Sequence, residues 1–464
     1  MQASVVRSRR VVTPQGIQPA AIHIAGGRIV RVAEWSDAPG DAIDYGELAI
    51  LPGIVDTHVH LNEPGRTEWE GFATATTAAA IGGVTTLVDM PLNSIPPTTT
   101  REGFAAKRAA AKGQCAVDVG FWGGVVPGNQ RELAGLVTDG VRGFKCFLVD
   151  SGVAEFGWVG EAELAPAMQI LAGLDAPLLV HAELAGPIDA VAASLATADP
   201  HRYATYLASR PPAAEEQAIE LVMRLCRVTK ARTHIVHHSA ATALPLLRAA
   251  RAEGLRLTAE TCPHYLHFTA ETIPDGATAF KCAPPIRDAA NREALWAALA
   301  EGVLELVASD HSPCSPALKA LASPALPGGA AAPNGGAGMI EAGDFVAAWG
   351  GVSGLQFALS IVWTEASRRG HTLVDLVRWM CEGPSRLAGF TGKKGAIAAG
   401  HDADLVVFAD DEAQVVTTER VHHRHKLTPY LGETLRGVVK ATYLRGTRVA
   451  EHGKALALDL GELL

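Results

Sequence analysis

Apolar and polar residues alternate along residues 1–50. SVVRSRRVVTP, AAIHIAGGRIVRVAE and GELAILPG put every second side chain on one face, the pattern of half-buried strands closed by turns. The far end of the chain returns to this texture in DADLVVFA and RGVVKATYLRGTRVAEHGK. Two β-rich ends flank a different middle. Residues 1–50 and 390–464 are therefore expected to build one composite β-sandwich domain, and 51–389 a second domain. In that middle, short apolar runs alternate with longer Ala- and Leu-rich helical stretches. Eight runs read as strands: 53–60, 83–90, 115–123, 141–149, 176–183, 233–238, 255–261 and 303–310. Strand–helix alternation implies parallel pairing, and eight units predict a closed α/β barrel of the (β/α)8 TIM type rather than an open doubly wound sheet. Residues 315–343 are rich in Ala, Pro and Gly and read as a long loop after the eighth strand.

Composition narrows the class. The 464 residues are 48% apolar and 19% charged, which supplies a large core and excludes a disordered chain. The net charge of −9 argues against a general nucleic-acid binder. No apolar run reaches membrane-spanning length, and the N-terminus shows no secretory h-region. The seven cysteines are scattered and form no CxxC, the usage of free thiols in a reducing compartment. The expectation is a soluble cytoplasmic enzyme with a small-molecule substrate and neither nucleic-acid nor membrane partners.

The chemically capable residues fall at strand ends, which converge on one face of a barrel. Strand one ends in Asp56-Thr57-His58-Val59-His60. Residues i and i+2 of a strand point the same way, so His58 and His60 both face the mouth. Strands five and six end in His181 and His237, while His238 points to the opposite face as a structural residue. Strand eight ends in Asp310, suited to hold a metal, to move a proton, or to cap the next segment. Strand four carries Lys145. An ammonium repels a metal, so three readings stand: a clamp for a substrate carboxylate, a structural ion pair, or a covalently modified lysine.

Four histidines, an aspartate and a lysine exceed one tetrahedral site and suit two bridged metal ions. Paired metals activate water and polarise a carbonyl, the means of hydrolysing amides, lactams or phosphoesters. Imidazole and carboxylate donors accept zinc, manganese, cobalt or iron. Cys146 and Cys262 read as small buried residues. His264 and His311 read as hydrogen-bond partners rather than ligands. A second HxH, His423 and His425, lies away from any barrel strand, and a surface or interface role is expected for it.

The constellation HxH…K…H…H…D, with DTHVHLNEPG (56–65), GFKCFL (143–148), ETCPHYL (260–266), CAPPIRD (282–288) and SDHSP (309–313), resembles the amidohydrolase superfamily. The likeness is to its cyclic-amidohydrolase branch of dihydroorotases, dihydropyrimidinases (hydantoinases) and allantoinases. It implies a binuclear centre, zinc foremost, bridged by Lys145 after carbamylation by carbon dioxide (N6-carboxylysine). His58, His60 and Asp310 would hold one metal, and His181 and His237 the other, with Asp310 as the catalytic proton carrier. A homotetramer is also implied.

Within the branch, HLNEPGRTEWEGF (60–72), VDMPLNSIPPT (88–98), AWGGVSGLQ (348–356) and HRHKLTPYLGETLRG (423–437) are similar to allantoinases. That resemblance implies hydrolytic ring opening of allantoin to allantoate. A hydantoinase-type activity is the alternative, and a non-catalytic scaffold a remoter one. Asn62 stands where dihydroorotases carry a carboxylate-clamping Arg, as a neutral substrate requires. Asn93, Cys282, Ala283 and Gly350 complete the expected substrate contacts. Phe147 and Leu148 follow Lys145 where a hydantoinase is expected to carry a Tyr. The 316–340 loop departs from the family in length and composition.

Overall fold

The computed structural model describes residues 4–321 and 341–464. The N-terminal strands are β1 (Ser4–Thr13), β2 (Gly16–Ala25), β3 (Arg28–Glu34), β4 (Ile43–Asp44) and β5 (Ala49–Pro52). The barrel strands follow: β6 (Ile54–Val59), β7 (Val84–Asp89), β8 (Asp118–Phe121) with its extension β9 (Gly123–Gly124), β10 (Phe144–Phe147), β11 (Leu178–His181), β12 (Thr233–Ile235), β13 (Leu257–Thr261) and β14 (Leu306–Val307). The chain ends with β15 (Leu405–Val415), β16 (Thr434–Leu444), β17 (Thr447–Glu451) and β18 (Lys454–Ala455).

Every one of the eight predicted barrel runs contains an observed strand. Pairing is parallel from β6 to β8 and from β9 to β14. Backbone bonds from Trp122 N to Asp89 O (2.9 Å) and Arg142 N to Phe121 O (2.8 Å) carry the wall across the gap at Trp122. The ring closes where His60 N donates to His311 O at 2.8 Å and Val59 bridges His311 in parallel. A helix follows each strand, from Phe72–Ile81 after β6 to Ala358–Arg368 after β14. Leu87, Val119, Phe144, Leu178, Val180 and Ala259 are sealed from water. Strands covered on both faces read as continuous apolar runs, which is why length and spacing revealed them.

The two chain ends share one sheet, in the order β18-β17-β16-β15-β5-β1-β2-β3 with β4 beside β1. This sandwich is a single hydrogen-bonded path around its own core, which includes Val6, Ile22, Ile24, Ile50, Leu405 and Val407. At the junction with the barrel, a Cβ on Gly53 would lie 2.2 Å from Thr85 Oγ1, so only glycine fits between β5 and β6. Lys394 locks the same junction. Its ammonium lies 2.6 Å from Asp118 on β8 and 2.7 Å from Asp404 next to β15. The last residues run back along β8, with Val119 N donating to Glu462 O and Leu464 N to Val119 O, both at 2.9 Å. The centre of the Ala/Pro/Gly-rich loop, 322–340, lies outside the described residues.

Candidate active site

The four histidines, Lys145 and Asp310 converge at the mouth of the barrel, all of them buried. His58 Nε2 and His60 Nε2 lie 3.2 and 3.7 Å from Asp310 Oδ1. His181 Nδ1 is 3.0 Å from His237 Nε2. The His58 and His237 rings, centred 5.4 Å apart, join the two halves. Lys145 enters from β10, its Nζ 5.2 Å from the centre of the Phe147 ring, which stacks on His181 at 4.5 Å.

Burial sets the protonation of this cluster. It pushes His60 and His237 well below the ordinary imidazole value and lowers His181, so these rings stay neutral and keep a lone pair for a metal. It brings Lys145 down to about 8, and it raises Asp310 against the pull of His58 and Lys145. Strain concentrates here as well. Asn62, Asn93, His237 and Asp310 all have positive φ (63°, 68°, 39° and 44°), a conformation that non-glycine residues hold only when their surroundings enforce it.

These residues open on a cavity of ≈ 530 Å³ walled by His58, His60, Asn93, Lys145, Phe147, Trp158, His181, Tyr206, Arg210, His237, Lys281, Ala283, Asp310, Trp349 and Gly350 among others. Asn93, Ala283 and Gly350 thus stand on its wall, as expected of substrate contacts. Asn62 and Cys282 do not line it. Asn62 is fully buried, and its Nδ2 donates to Pro313 O at 3.2 Å. Cys282 lies behind the wall with its carbonyl taken by Tyr206 Oη at 2.6 Å. Both are held by local structure that spacing alone does not show. Cys146 and Cys262 are buried free thiols, and burial raises Cys146 to about 12.

The expectation for His423 is overturned. Its side chain is buried, not at the surface, and its ring sits 4.6 Å from that of His311. The segment that carries it folds back from the far end of the chain onto the barrel mouth, a long-range packing that no local pattern encodes. His425 Nε2 meets Glu68 O at 2.8 Å.

Three carboxylates that the sequence reading passed over support the cluster. Glu260 lies 2.5 Å from His58 Nδ1 and 3.1 Å from His234 Nε2. Glu183 Oε2 lies 2.8 Å from His181 Nε2 and accepts from Arg210 at 2.6 Å. Asp56 accepts the backbone N–H groups of His58 and Ser309, both at 3.1 Å. A signal was present: Glu260 faces inward on an apolar strand, and Glu183 follows His181 by two. Acceptors behind metal-binding histidines fix their tautomer.

The donor set fits a divalent metal. His58 Nε2 and His237 Nδ1 are buried without a hydrogen-bond partner, and ligand atoms of His58, His60 and Asp310 lie within 4.8 Å of one another. Cys262, His264 and Asp310 form a second such group. In a third, Asp118, Asp402 and Asp404, the Lys394 ammonium already supplies the positive charge.

Residues 49–449 match the family model described as the amidohydrolase family. The chain belongs to the amidohydrolase family. This amidohydrolase is 49% identical to the allantoinase of Streptomyces avermitilis over 453 residues, covering 97% of this chain and 96% of that one. It is 42% identical to the allantoinase of Arabidopsis thaliana, covering 99% and 90%. Among solved structures, the L-hydantoinase (dihydropyrimidinase) from Arthrobacter aurescens superposes with a TM-score of 0.90 at 30% identity, covering 100% and 99%. Among the described residues of this amidohydrolase, no helix is long and apolar enough to cross a membrane.

Proposed function

We propose that this amidohydrolase opens the five-membered ring of allantoin to allantoate at a binuclear divalent-metal centre. The observation that carries the reading is the 49% identity to a named allantoinase over 97% of the chain. Convergence of the six candidate ligand residues on one cavity supports it. In this reading His58, His60 and Asp310 would hold one metal and His181 and His237 the other, with Lys145 as a ligand they would share. Zinc is the metal expected, with manganese, cobalt and iron compatible with the same donors. A cytoplasmic homo-oligomer, a tetramer by resemblance, completes it. The chemistry belongs to the barrel, 51–389, braced by the composite domain of 1–50 and 390–464.

A free amine at Lys145 Nζ is needed for carbamylation. Burial lowers its pKa to about 8, so a useful fraction is unprotonated near neutral pH. The nitrogen attacks carbon dioxide, an N–C bond forms, a proton leaves, and the side chain changes from cation to carboxylate-like anion. This favours the modified lysine among the three readings of Lys145, because an anion suits a site of metal donors.

The metal centre, when bound, supplies hydroxide at neutral pH and positive charge against the carbonyl oxygen. The reaction adds one hydroxide oxygen to the ring carbonyl carbon and breaks the ring C–N bond, and the part this chain's own residues would play is proton transfer. Asp310 would take the hydroxide proton and return it to the leaving nitrogen. Glu260 takes His58 at Nδ1 and Glu183 takes His181 at Nε2, so the atoms that would meet a metal are His58 Nε2, beside Asp310, and His181 Nδ1, beside His237 Nε2. Asn93 and the backbone at Ala283 and Gly350, on the cavity wall, would receive the polar edges of the ring. The test is metal content against activity. Protein prepared with metal and bicarbonate should hold about two ions per chain and hydrolyse allantoin, and removing the ions should abolish turnover. Full activity in metal-free protein overturns the reading.

A further inference from the structure

The second HxH has no part in the chemistry above, yet it is packed against it. His423 is 1% exposed, and its ring lies 4.6 Å from His311. Its Nε2 accepts the N–H of Gln356 at 3.4 Å. His311 Nε2 also lies 3.5 Å from Glu70 Oε2, both side chains fully buried. Glu70 is gripped by the same distant segment: its Oε1 accepts Arg424 N at 3.1 Å, and its carbonyl accepts Arg424 Nε. His425 bonds the carbonyl of Glu68. Residues 421–426 are thus docked onto 68–71, and His423 and Glu70 both contact one imidazole, that of His311.

That imidazole adjoins the left-handed Asp310. The backbone around Asp310 is stitched to strand β6 on both sides. Ser309 N donates to Asp56 Oδ1, and His311 O accepts from His60 N at 2.8 Å. The His311 side chain and these backbone bonds thus bear on the same turn, the one that carries Asp310 beside His58 and His60.

We propose that residues 421–426 form part of the active site, with Glu70 and His423 as positioning residues. They hold the His311 ring, and through its backbone they hold the Asp310 carboxylate in place. The inference rests on the reading of Asp310 as a metal ligand given above.

The experiment compares Glu70→Gln, His423→Ala and His423→Phe in the metal-loaded enzyme. Two readouts are used: metal affinity by competition with a chromophoric chelator, and kcat and KM on allantoin. Loss of a residue that orients a ligand should weaken metal binding roughly 10–100-fold. Glu70→Gln and His423→Ala should both do so and lower kcat by a similar factor, with KM within about twofold. His423→Phe keeps a ring against His311 and should recover most of the loss. A loss confined to folding stability would leave affinity and kcat of the folded fraction unchanged, and that result overturns the proposal. A rise in KM at constant kcat also overturns it, because the segment would then act on substrate. Should His423→Ala fail to fold, Glu70→Gln, which keeps size and shape, carries the same test. The chelator arm needs no substrate: wild-type protein that binds metal but spares allantoin sinks the proposed function, not this inference.

Discussion

Replacing Glu260 by Ala tests whether the histidines are held from behind. Glu260 is fully buried and lies 2.5 Å from His58 Nδ1 and 3.1 Å from His234 Nε2. These two imidazoles offset the burial that raises its carboxyl and hold it far below the usual carboxylate range. Removal leaves two ring nitrogens without acceptors in a sealed site. Each such group costs about 1–3 kcal/mol, with the short bond to the anion at the upper end. The missing side-chain volume adds to that. The sum, about 4–6 kcal/mol before the volume lost, is at least the usual ~3–5 kcal/mol cost of breaking a buried charged pair. Glu260→Gln keeps the volume and one acceptor and should cost about 1.5–3 kcal/mol, the worth of a charged hydrogen bond. His58 is also freed to take the wrong tautomer, so metal affinity should fall roughly 10–100-fold. Urea unfolding of the metal-free protein measures the first effect, and chelator competition measures the second. Glu260→Ala with stability within about 1 kcal/mol and affinity within about twofold of wild type would refute the reasoning.

Lys145→Ala should abolish turnover, and short carboxylic acids added to the assay should restore part of it; a fully active variant removes the carbamate from the account. Asp310→Asn should lower kcat by roughly 10²–10⁴-fold, the usual worth of proton transfer, with metal content measured in the same sample. Near-normal kcat with both metals bound would exclude Asp310 as proton carrier. Lys281→Met removes the bonds from Nζ to the carbonyls of Val346 (2.9 Å) and Ala348 (2.5 Å) at the cavity wall. With two hydrogen bonds lost, KM should rise by roughly tenfold while kcat stays close to wild type. A change in kcat alone would count against a wall role. Burial raises Glu365, but bonds to His267 and Arg369 win and bring it from 4.5 to about 2. Its contribution is therefore complete above pH 4.5 and lost as pH falls through about 2. Glu365→Gln should flatten the stability–pH curve in that acid range, and an unchanged slope would contradict the assignment.

The barrel was legible because its strands are buried on both faces, so each appears as an apolar run of strand length. The cluster at the barrel mouth was legible because strand ends converge: His58, His60, His181, His237 and Asp310 needed only the strand pattern to be brought together. Lys145 was located by the same pattern, but spacing did not choose among the three readings of its role. Asn62 and Cys282 show the limit. Their positions beside motif residues pointed inward, yet a left-handed turn at Asn62 and the Tyr206 bond at Cys282 hold both off the cavity wall. His423 was hidden for another reason. Its burial depends on residues 421–426 meeting 68–71, more than three hundred positions away, and a polar HHRHK stretch gives no local sign of a buried partner.

The most direct measurement is a comparison of kcat/KM for allantoin, hydantoin, dihydrouracil and dihydroorotate, made on one preparation with metal and bicarbonate present. The account predicts that allantoin is the preferred substrate and that dihydroorotate is turned over least. A preference for hydantoin or dihydrouracil, or no turnover of allantoin by fully metal-loaded protein, would contradict it.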